Sequence, residues 1–430
     1  MTRPLSVALA GLGTVGGGVL KLLRDNADVV AARAGRPIAV TAVSARDRSK
    51  DRGFPVTGLR WYEDPVALAA DPAVDVVVEL IGGSEGPART LAQAAINAGK
   101  PLVTANKALL AVHGADLAEA AEAQGVPLAF EAAVAGGIPV IKALREGLAG
   151  NRISAVAGIL NGTCNYILTQ MRERGREFAE VLADAQKLGY AEADPSFDID
   201  GVDTAHKLAI LAALAFGRPV AFDQVHIEGI RRISALDIAF ATELGYRIKL
   251  LGIARQTDAG IETRVHPCMV PWAAPIARVD GVFNAVVAEG DFVGRVMLEG
   301  RGAGAGPTAS AVVADLIDIA RNRFTPVWGA AAAALSSVPS VPIGAHVGAY
   351  YLRLMVVDRP GVIADVTAIL RDIGVSLESM LQRGRSPGEA VPVVLVTHET
   401  QESAMRQALD RIGALDTVME APTLIRIDAG

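Results

Sequence analysis

The feature that most restricts how this chain can fold is a set of three glycines, Gly11, Gly13 and Gly16, directly behind the apolar stretch LSVALA and directly ahead of a helical one. The spacing is G-x-G-x-x-G, with Leu12, Thr14 and Val15 in between. In such a turn the first glycine permits the sharp change from strand to helix, and the second lets backbone N–H groups approach a pyrophosphate. The third lets strand and helix pack closely. Alone, the match would read as a glycine-rich helix start. Here the flanking elements are those the motif demands, and the pattern continues. IAVTAVS, VDVVVEL, PLVTAN and PLAFEAAV follow as β-like runs, with alanine-rich helical stretches at 86–98 and 108–124 among them. That alternation predicts right-handed βαβ crossovers and an α/β fold whose parallel sheet is covered on both faces. Residues 1–133 are expected to form a Rossmann-like, doubly wound domain in which Gly11, Gly13, Thr14, Val15 and Gly16 meet a dinucleotide.

A chain of 430 residues is too long for that domain alone. After Gly136 helices are expected at 138–149, 163–174, 178–188, 201–216 and 234–244, interleaved with RISAVAGIL, YRIKLLGIARQ, IETRVHPCMV, NAVVAE and VGRVMLEG as strands. This predicts a mixed α+β domain over 134–306. The glycine-rich GRGAGAGPTAS then leads into a helix at 307–323, expected to pack back on the first domain. Residues 324–348, rich in Ala, Ser and Pro, read as a linker. From 349 to 430 the order is βαββαβ, a ferredoxin-like unit.

A net charge of -6 argues against nucleic acid or an anionic membrane as partner and for a small-molecule substrate. Two cysteines, Cys164 and Cys268, make neither a disulfide framework nor a zinc pattern, which fits the cytoplasm. The N-terminus enters the glycine loop at once instead of forming an export signal. The longest stretch free of charge, Thr325–Leu352, is broken by Pro326, Pro339 and Pro342, whereas a membrane span needs ~20 continuous apolar residues.

The second β-like run ends in Ser44-Ala45-Arg46-Asp47. NAD enzymes usually place an acid here for the ribose 2′-hydroxyl, while a guanidinium suits a 2′-phosphate. Arg46 therefore favours NADP, with Asp47 leaving NAD open; the bland alternative is a solvated loop charge.

The stretch DPSFDIDGVDTAHK places Asp194, Asp198, Asp200 and Asp203 within fourteen residues ending on Lys207. Asp203 and Lys207 lie four apart, on one face of the helix expected at 201–216. Most such pairs are exposed and contribute about 0.3–0.5 kcal/mol. The crowd of carboxylates, however, calls for cations among it. Lys207 beside Asp203 can supply the acid that protonates a developing alkoxide, the one part besides a hydride donor that a carbonyl reductase needs. Asp194, ahead of Pro195, reads as a turn residue and Asp200 as the helix N-cap.

The run AQKLGYAEADPSFDIDGVDTAHK, residues 185–207, resembles the signature of homoserine dehydrogenases. The similarity extends to TANK at 104–107, EAAVAGGIP at 131–139, NGTCNYIL at 161–168 and GAGAGPTASAVVAD at 302–315. Residues 349–428, with VVDRPGVIADV at the first turn, look like an ACT domain. The resemblance implies reversible NAD(P)-dependent reduction of L-aspartate 4-semialdehyde to L-homoserine, in threonine and methionine biosynthesis. Carried over by position, the proton donor falls on Lys207 and the homoserine-binding acids on Glu192 and Asp203, with Asp198 a neighbour in the pocket. Lys107 falls near cofactor and substrate, and Gly189, Gly304 and Gly306 near the cofactor. A monovalent cation, Na+ or K+, would be held largely by backbone carbonyls at Glu131, Val134, Gly136 and Ile138. The ACT domain implies threonine as feedback effector, testable by truncation near Val347, and a homodimer or homotetramer. Two other readings compete. Cys164 could be the thiol of an acylating semialdehyde dehydrogenase, or the chain could be a non-catalytic amino-acid sensor.

Overall fold

Strand β1 (Leu5–Ala10) leads through the glycine turn into α1 (Thr14–Asp25) and α2 (Ala27–Ala34). Then come β2 (Ile38–Ser44), β3 (Arg60–Tyr62), α3 (Ala67–Ala70), β4 (Val76–Glu79), α4 (Pro87–Asn97), β5 (Leu102–Thr104), α5 (Lys107–Ala123) and β6 (Leu128–Ala129). The middle of the chain forms α6 (Val140–Lys142), β7 (Ile153–Ile159), α7 (Gly162–Arg174), α8 (Phe178–Lys187), α9 (Ser196–Ile199), α10 (Val202–Phe216), β8 (His226–Ile227) and α11 (Ala235–Glu243). Two hairpins follow, β9 (Tyr246–Thr257) with β10 (Gly260–Pro271) and β11 (Phe283–Gly290) with β12 (Gly294–Arg301), and then α12 (Ala305–Ala320). The chain closes with β13 (Val347–Val357), α13 (Val362–Ile373), β14 (Leu377–Gln382), β15 (Ala390–Thr397), β16 (Thr400–Gln401), α14 (Glu402–Gly413) and β17 (Thr423–Ile427). The structure, a computed structural model, describes residues 3–383, 386 and 388–428. Residues 1–2 of the expected first domain, and 384–385, 387 and 429–430 of the last, lie outside the described residues.

The chain divides into two compact units. The first takes in the chain up to Val156, Asp203–Val225 and Val282–Val338. Its six-stranded sheet runs β3-β2-β1-β4-β5-β6, every neighbouring pair parallel. This is the Rossmann order, and the strand sequence reverses between β1 and β4, where such folds bind ligands. β1 and β4 are buried along their whole length, which is why their sequences are continuous apolar runs without alternation. Val7 and Leu9 of β1, Val19 and Leu23 of α1, and Val312 and Leu316 of α12 share one core.

Two expectations fail locally in this unit. PLAFEAAV gives only two residues of strand before a 3-10 turn at Glu131–Ala133, and the helix expected at 138–149 shrinks to α6 and a single π turn at Ala143–Gly147. The buried Glu131 carboxylate accepts the N–H groups of Ile141 and Lys142, each at 2.9 Å, and so caps the first turn of α6. The short edge strand β3 carried no expectation.

The second unit comprises Ala157–Val202, His226–Gly281 and the chain from Pro339 onward. Within it the strands run β9-β10-β17-β13-β15-β14, with β8 on β10 and β16 on β13. The terminal part, β17-β13-β15-β14, has the ferredoxin-like order expected of βαββαβ. α13 and α14 supply Val366, Leu370, Met405 and Ile412 to a core with Leu352 and Leu354 of β13. β17 also pairs in parallel with β10, at Cys268↔Arg426 and Met269↔Ile427.

Candidate active site

The glycine turn lies where the sheet order reverses. Gly11 has φ 105, and a Cβ on it would meet the Leu80 carbonyl oxygen at 2.5 Å; a Cβ on Gly16 would meet the Gly11 carbonyl oxygen at 2.2 Å. Only glycine fits either position. A Cβ on Gly13 would meet nothing within 4 Å, so the space there is open. Gly13 caps α1 without a side-chain hydrogen bond, and Thr14 and Val15 begin the helix. The first N–H groups of α1 are thus available to an anion. A cleft of about 880 Å³ opens at this point, lined by Gly11–Gly13, Ser44–Asp47, Lys50, Arg52, Pro87 and Leu80–Gly82 among others. Its volume suits a ligand of dinucleotide class.

Arg46 lines that cleft with Lys50 and Arg52, two cations the sequence reading missed although the run RDRSKDR displayed them. Arg48 and Arg52 lie over the Trp61 ring at 5.8 and 5.5 Å, which gives this basic loop an anchor. Asp47, which left a bare ribose open, accepts from the Ser49 hydroxyl at 2.7 Å and the Ser49 N–H at 2.8 Å. These bonds, the hydroxyl first, hold its carboxyl below the usual carboxylate range.

The lysine cluster lies on α5 and α10. Asn106 caps α5, its Oδ1 accepting from Leu109 N–H at 3.1 Å, and Lys107 is the first residue of the helix. Lys207 Nζ donates to Asp203 Oδ2 at 2.7 Å, and Lys107 Nζ lies 3.2 Å from Asp203 Oδ1. Asp203 is 4% and Lys207 9% exposed, so this is not the solvated pair that spacing alone would suggest. One buried carboxylate serves two ammonium groups. His206, between Asp203 and Lys207 in sequence, lies against Phe222 with ring centroids 4.2 Å apart and planes tilted by 50°. Burial first, and then the charges of Lys107 and Lys207 against that of Asp203, push its imidazole down to about 4. It is neutral at pH 7.

In the second unit α7 grips the acidic loop. Asn161 caps the helix, accepting from Cys164 N–H at 2.8 Å, and its Nδ2 donates to Asp198 Oδ1 at 2.7 Å. Thr163 Oγ1 donates to the Tyr190 carbonyl at 2.6 Å, and the Tyr166 and Tyr190 rings lie 4.8 Å apart. Gly189, at φ 74, follows α8, and Glu192 is exposed on the loop beyond, its carbonyl accepting from Gln186. Asp194 accepts from Ser196 N–H at 3.1 Å, the turn expected of it. Asp200 is not the N-cap that was expected: α10 begins at Val202, leaving Gly201 at the cap position, and Asp200 pairs with Arg231. Cys164 is fully buried and donates to the Asp198 carbonyl, S···O 3.3 Å. A thiol so enclosed is no nucleophile for a substrate, which removes the acylating reading.

Glu131 is 2% exposed, and besides the two bonds its carboxylate accepts, its N–H donates to Asp315 Oδ2 at 2.9 Å. Burial, followed by the charge of Asp315, pushes the Glu131 carboxyl up to about 7. Lys142 faces Asp315 at 3.4 Å and also pairs with Asp318. Val134 is extended, whereas Ala135 and Gly136 are both left-handed at φ 54 and 47. The Ile138 carbonyl accepts from Val140 N–H at 2.8 Å. Because the chain's own N–H groups engage the Glu131 carboxylate, what this segment offers a hard cation is irregular backbone, whose carbonyls are suitable donors. No cluster of three or more His, Cys, Asp or Glu fit for a metal occurs among the described residues. Gly304 caps α12 at φ 117 and Gly306 lies in its first turn.

Residues 139–317 match the family model of homoserine dehydrogenase, 11–131 that of its NAD-binding domain, and 350–414 that of the ACT domain. The homoserine dehydrogenase of Pseudomonas aeruginosa is 49% identical over 437 residues, covering 99% of each chain. The solved structure of a homoserine dehydrogenase from Thiobacillus denitrificans is 50% identical, with TM-score 0.94 and coverage of 99% of this chain and 98% of that one. A hyperthermophilic archaeal homoserine dehydrogenase, solved in complex with NADPH, shares the fold at TM-score 0.65 and 24% identity over 76% of this chain and all of the other. No described helix is long and apolar enough to cross a membrane. With a nicotinamide-cofactor domain, a catalytic domain and an ACT domain all present, the chain belongs to the homoserine dehydrogenases, NAD(P)-dependent oxidoreductases.

Proposed function

We propose that the chain interconverts L-homoserine and L-aspartate 4-semialdehyde with Lys207 exchanging the hydroxyl proton. The supporting observation is the buried Asp203 carboxylate between Lys207 and Lys107. When bound at the glycine turn, a nicotinamide would supply or accept the hydride at the terminal carbon of the substrate. In the direction of reduction Lys207 gives its proton to the carbonyl oxygen; in oxidation it takes the proton from the hydroxyl. Asp203 fixes the Lys207 ammonium, and Lys107 adds a second positive charge for the substrate carboxylate or the nicotinamide side. Glu192 and Asp203 are assigned to the substrate amino group by resemblance, with Asp198 as a neighbour in the pocket, and Gly189, Gly304 and Gly306 to the cofactor by the same resemblance.

NADP is the preferred cofactor in this reading. Arg46, Lys50 and Arg52 line the cleft, and Asp47 is engaged with Ser49. The archaeal relative was solved with NADPH. Arg46→Ala should raise the KM for NADPH while leaving that for NADH in place; an unchanged ratio of the two would remove Arg46 from the assignment. A monovalent cation is assigned to backbone at Glu131, Val134, Gly136 and Ile138, and activity titrated with Na+ and K+ after exhaustive dialysis tests it. The domains run 1–133, 134–306, 324–348 as linker and 349–430. Threonine is the proposed effector, a homodimer or homotetramer the assembly, and the cytoplasm the location.

The decisive experiment is Lys207→Ala. General acid–base catalysis is worth about 10²–10⁴-fold, so turnover of homoserine should fall by that order while NADPH still binds, as read by its fluorescence. Near-normal turnover in that variant would refute the role of Lys207.

A further inference from the structure

Glu79 belongs neither to the glycine turn nor to the lysine cluster, yet it touches what supports both. It ends β4, is 0% exposed, and stands beside Thr104, the last residue of β5. Its Oε1 accepts the N–H groups of Ile81 at 2.6 Å and Gly82 at 3.0 Å, and its Oε2 accepts from Thr104 Oγ1 at 2.6 Å. Ile81 and Gly82 line the dinucleotide cleft. The Thr104 hydroxyl in turn accepts from Asn106 N–H at 3.0 Å, and Asn106 Nδ2 donates to the Gly83 carbonyl at 2.7 Å. The hydrogen bonds close a ring that joins the loop after β4 to the loop after β5. Lys107 is the next residue, and it leads to Asp203 and Lys207.

A carboxylate at such a place costs desolvation that an apolar strand residue would not, and three directed donors offset it. The ring confers a fixed register between the loop that walls the cofactor cleft and the helix start that carries Lys107. Hydride and proton transfer both depend on that register, because reacting groups misplaced by about 1 Å lose about 10²-fold in rate. We propose that Glu79, acting through the Thr104 hydroxyl, is a positioning residue that sets the cofactor side and the lysine side of the site in one geometry; this rests on the Lys207 reading above.

The test uses the full-length enzyme and three single variants, Thr104→Val, which removes the hydroxyl at nearly constant shape, Thr104→Ser, which keeps it, and Glu79→Gln. Thr104→Val and Glu79→Gln are each expected to lower kcat about ten-fold, with the KM for homoserine changed by less than about two-fold. Each should also raise the primary deuterium isotope effect measured with homoserine deuterated at the carbon that yields hydride. Thr104→Ser should restore both quantities, and the Glu79→Gln/Thr104→Val double variant should be no slower than the worse single one, because both break the same link. A merely structural role would lower the melting temperature and the active fraction while leaving the isotope effect per active site unchanged. That result, or multiplicative effects in the double variant, overturns the proposal. If Glu79→Gln fails to fold, the two Thr104 variants decide alone. A parent enzyme inactive on homoserine would overturn the underlying reading and this one with it; an active parent with an unaffected Thr104→Val overturns this one only.

Discussion

Asp203 and Lys207 could be paired from spacing alone, because helical geometry puts residues four apart on one face. Their burial could not, since it depends on what packs over α10. Arg46 could be read from its place just after the second strand, whereas Glu79 could not: its partners are the backbone of its own loop and a hydroxyl on the neighbouring strand, and no periodicity announces them. His206, beside Lys207, is a buried neutral imidazole. Its folded value, about 4, lies below the ordinary 6.5, so the folded state binds fewer protons than the unfolded one between those values. Stability should therefore be complete above pH 6.5 and be lost as pH falls through 4, by up to about 3 kcal/mol from this group. Replacing His206 with Gln should flatten that part of the pH–stability curve measured by urea unfolding; an equally steep acid loss in the variant would show that other groups carry it. Cys164→Ser should keep activity within about two-fold, because the thiol donates to the Asp198 carbonyl and a serine hydroxyl can do the same. Abolished turnover at unchanged stability would restore the thiol mechanism.

Whole elements show where local signals end. α7 was expected from its pattern, and its first turn does more than begin a helix. Asn161, Thr163, Cys164 and Tyr166 each hold the segment from Tyr190 to Asp198, so NGTCNYIL and the acidic run act as one piece. The helix expected at 138–149 is present over 140–147 and closes in a π turn, and Glu131 in the preceding turn caps its start by accepting the Ile141 and Lys142 N–H groups, a contact that helical periodicity does not encode. Asn161→Ala removes the cap of α7 and the partner of Asp198 together. It should cost about 1–2 kcal/mol, read by thermal melting, and raise the KM for homoserine if Asp198 holds substrate. A lowered melting temperature with an unchanged KM would reduce Asn161 to a cap and take Asp198 out of the pocket.

At the scale of the molecule, the C-terminal βαββαβ pattern was readable because each strand and helix carries its own signal, but its attachment was not. β17 adds to β10 in parallel, and the two long hairpin strands and the ACT strands make one sheet within the second unit. Buried charges cross that junction. Asp237, 0% exposed, closes the capping box of α11 with Ser234 and also accepts from Arg353 Nε of β13 at 2.6 Å and from Tyr351 Oη at 3.1 Å. Arg426 of β17 donates to Glu228 at 2.8 Å and to Glu402 at 2.6 Å. Truncation near Val347 would strand Asp237 and Glu228 without their cations and strip the partner strand from β10. It therefore cannot separate loss of an effector site from loss of fold, and threonine inhibition has to be measured on the intact chain. The junction itself can be tested by a cycle. Arg353→Met leaves Asp237 as an uncompensated buried charge and should cost about 3–5 kcal/mol, while Arg353→Met combined with Asp237→Asn should recover part of that loss. Unfolding in urea would measure both. If the single change costs less than about 1 kcal/mol, or the double costs the sum of its parts, the Arg353–Asp237 pair is incidental to how the ACT domain is held.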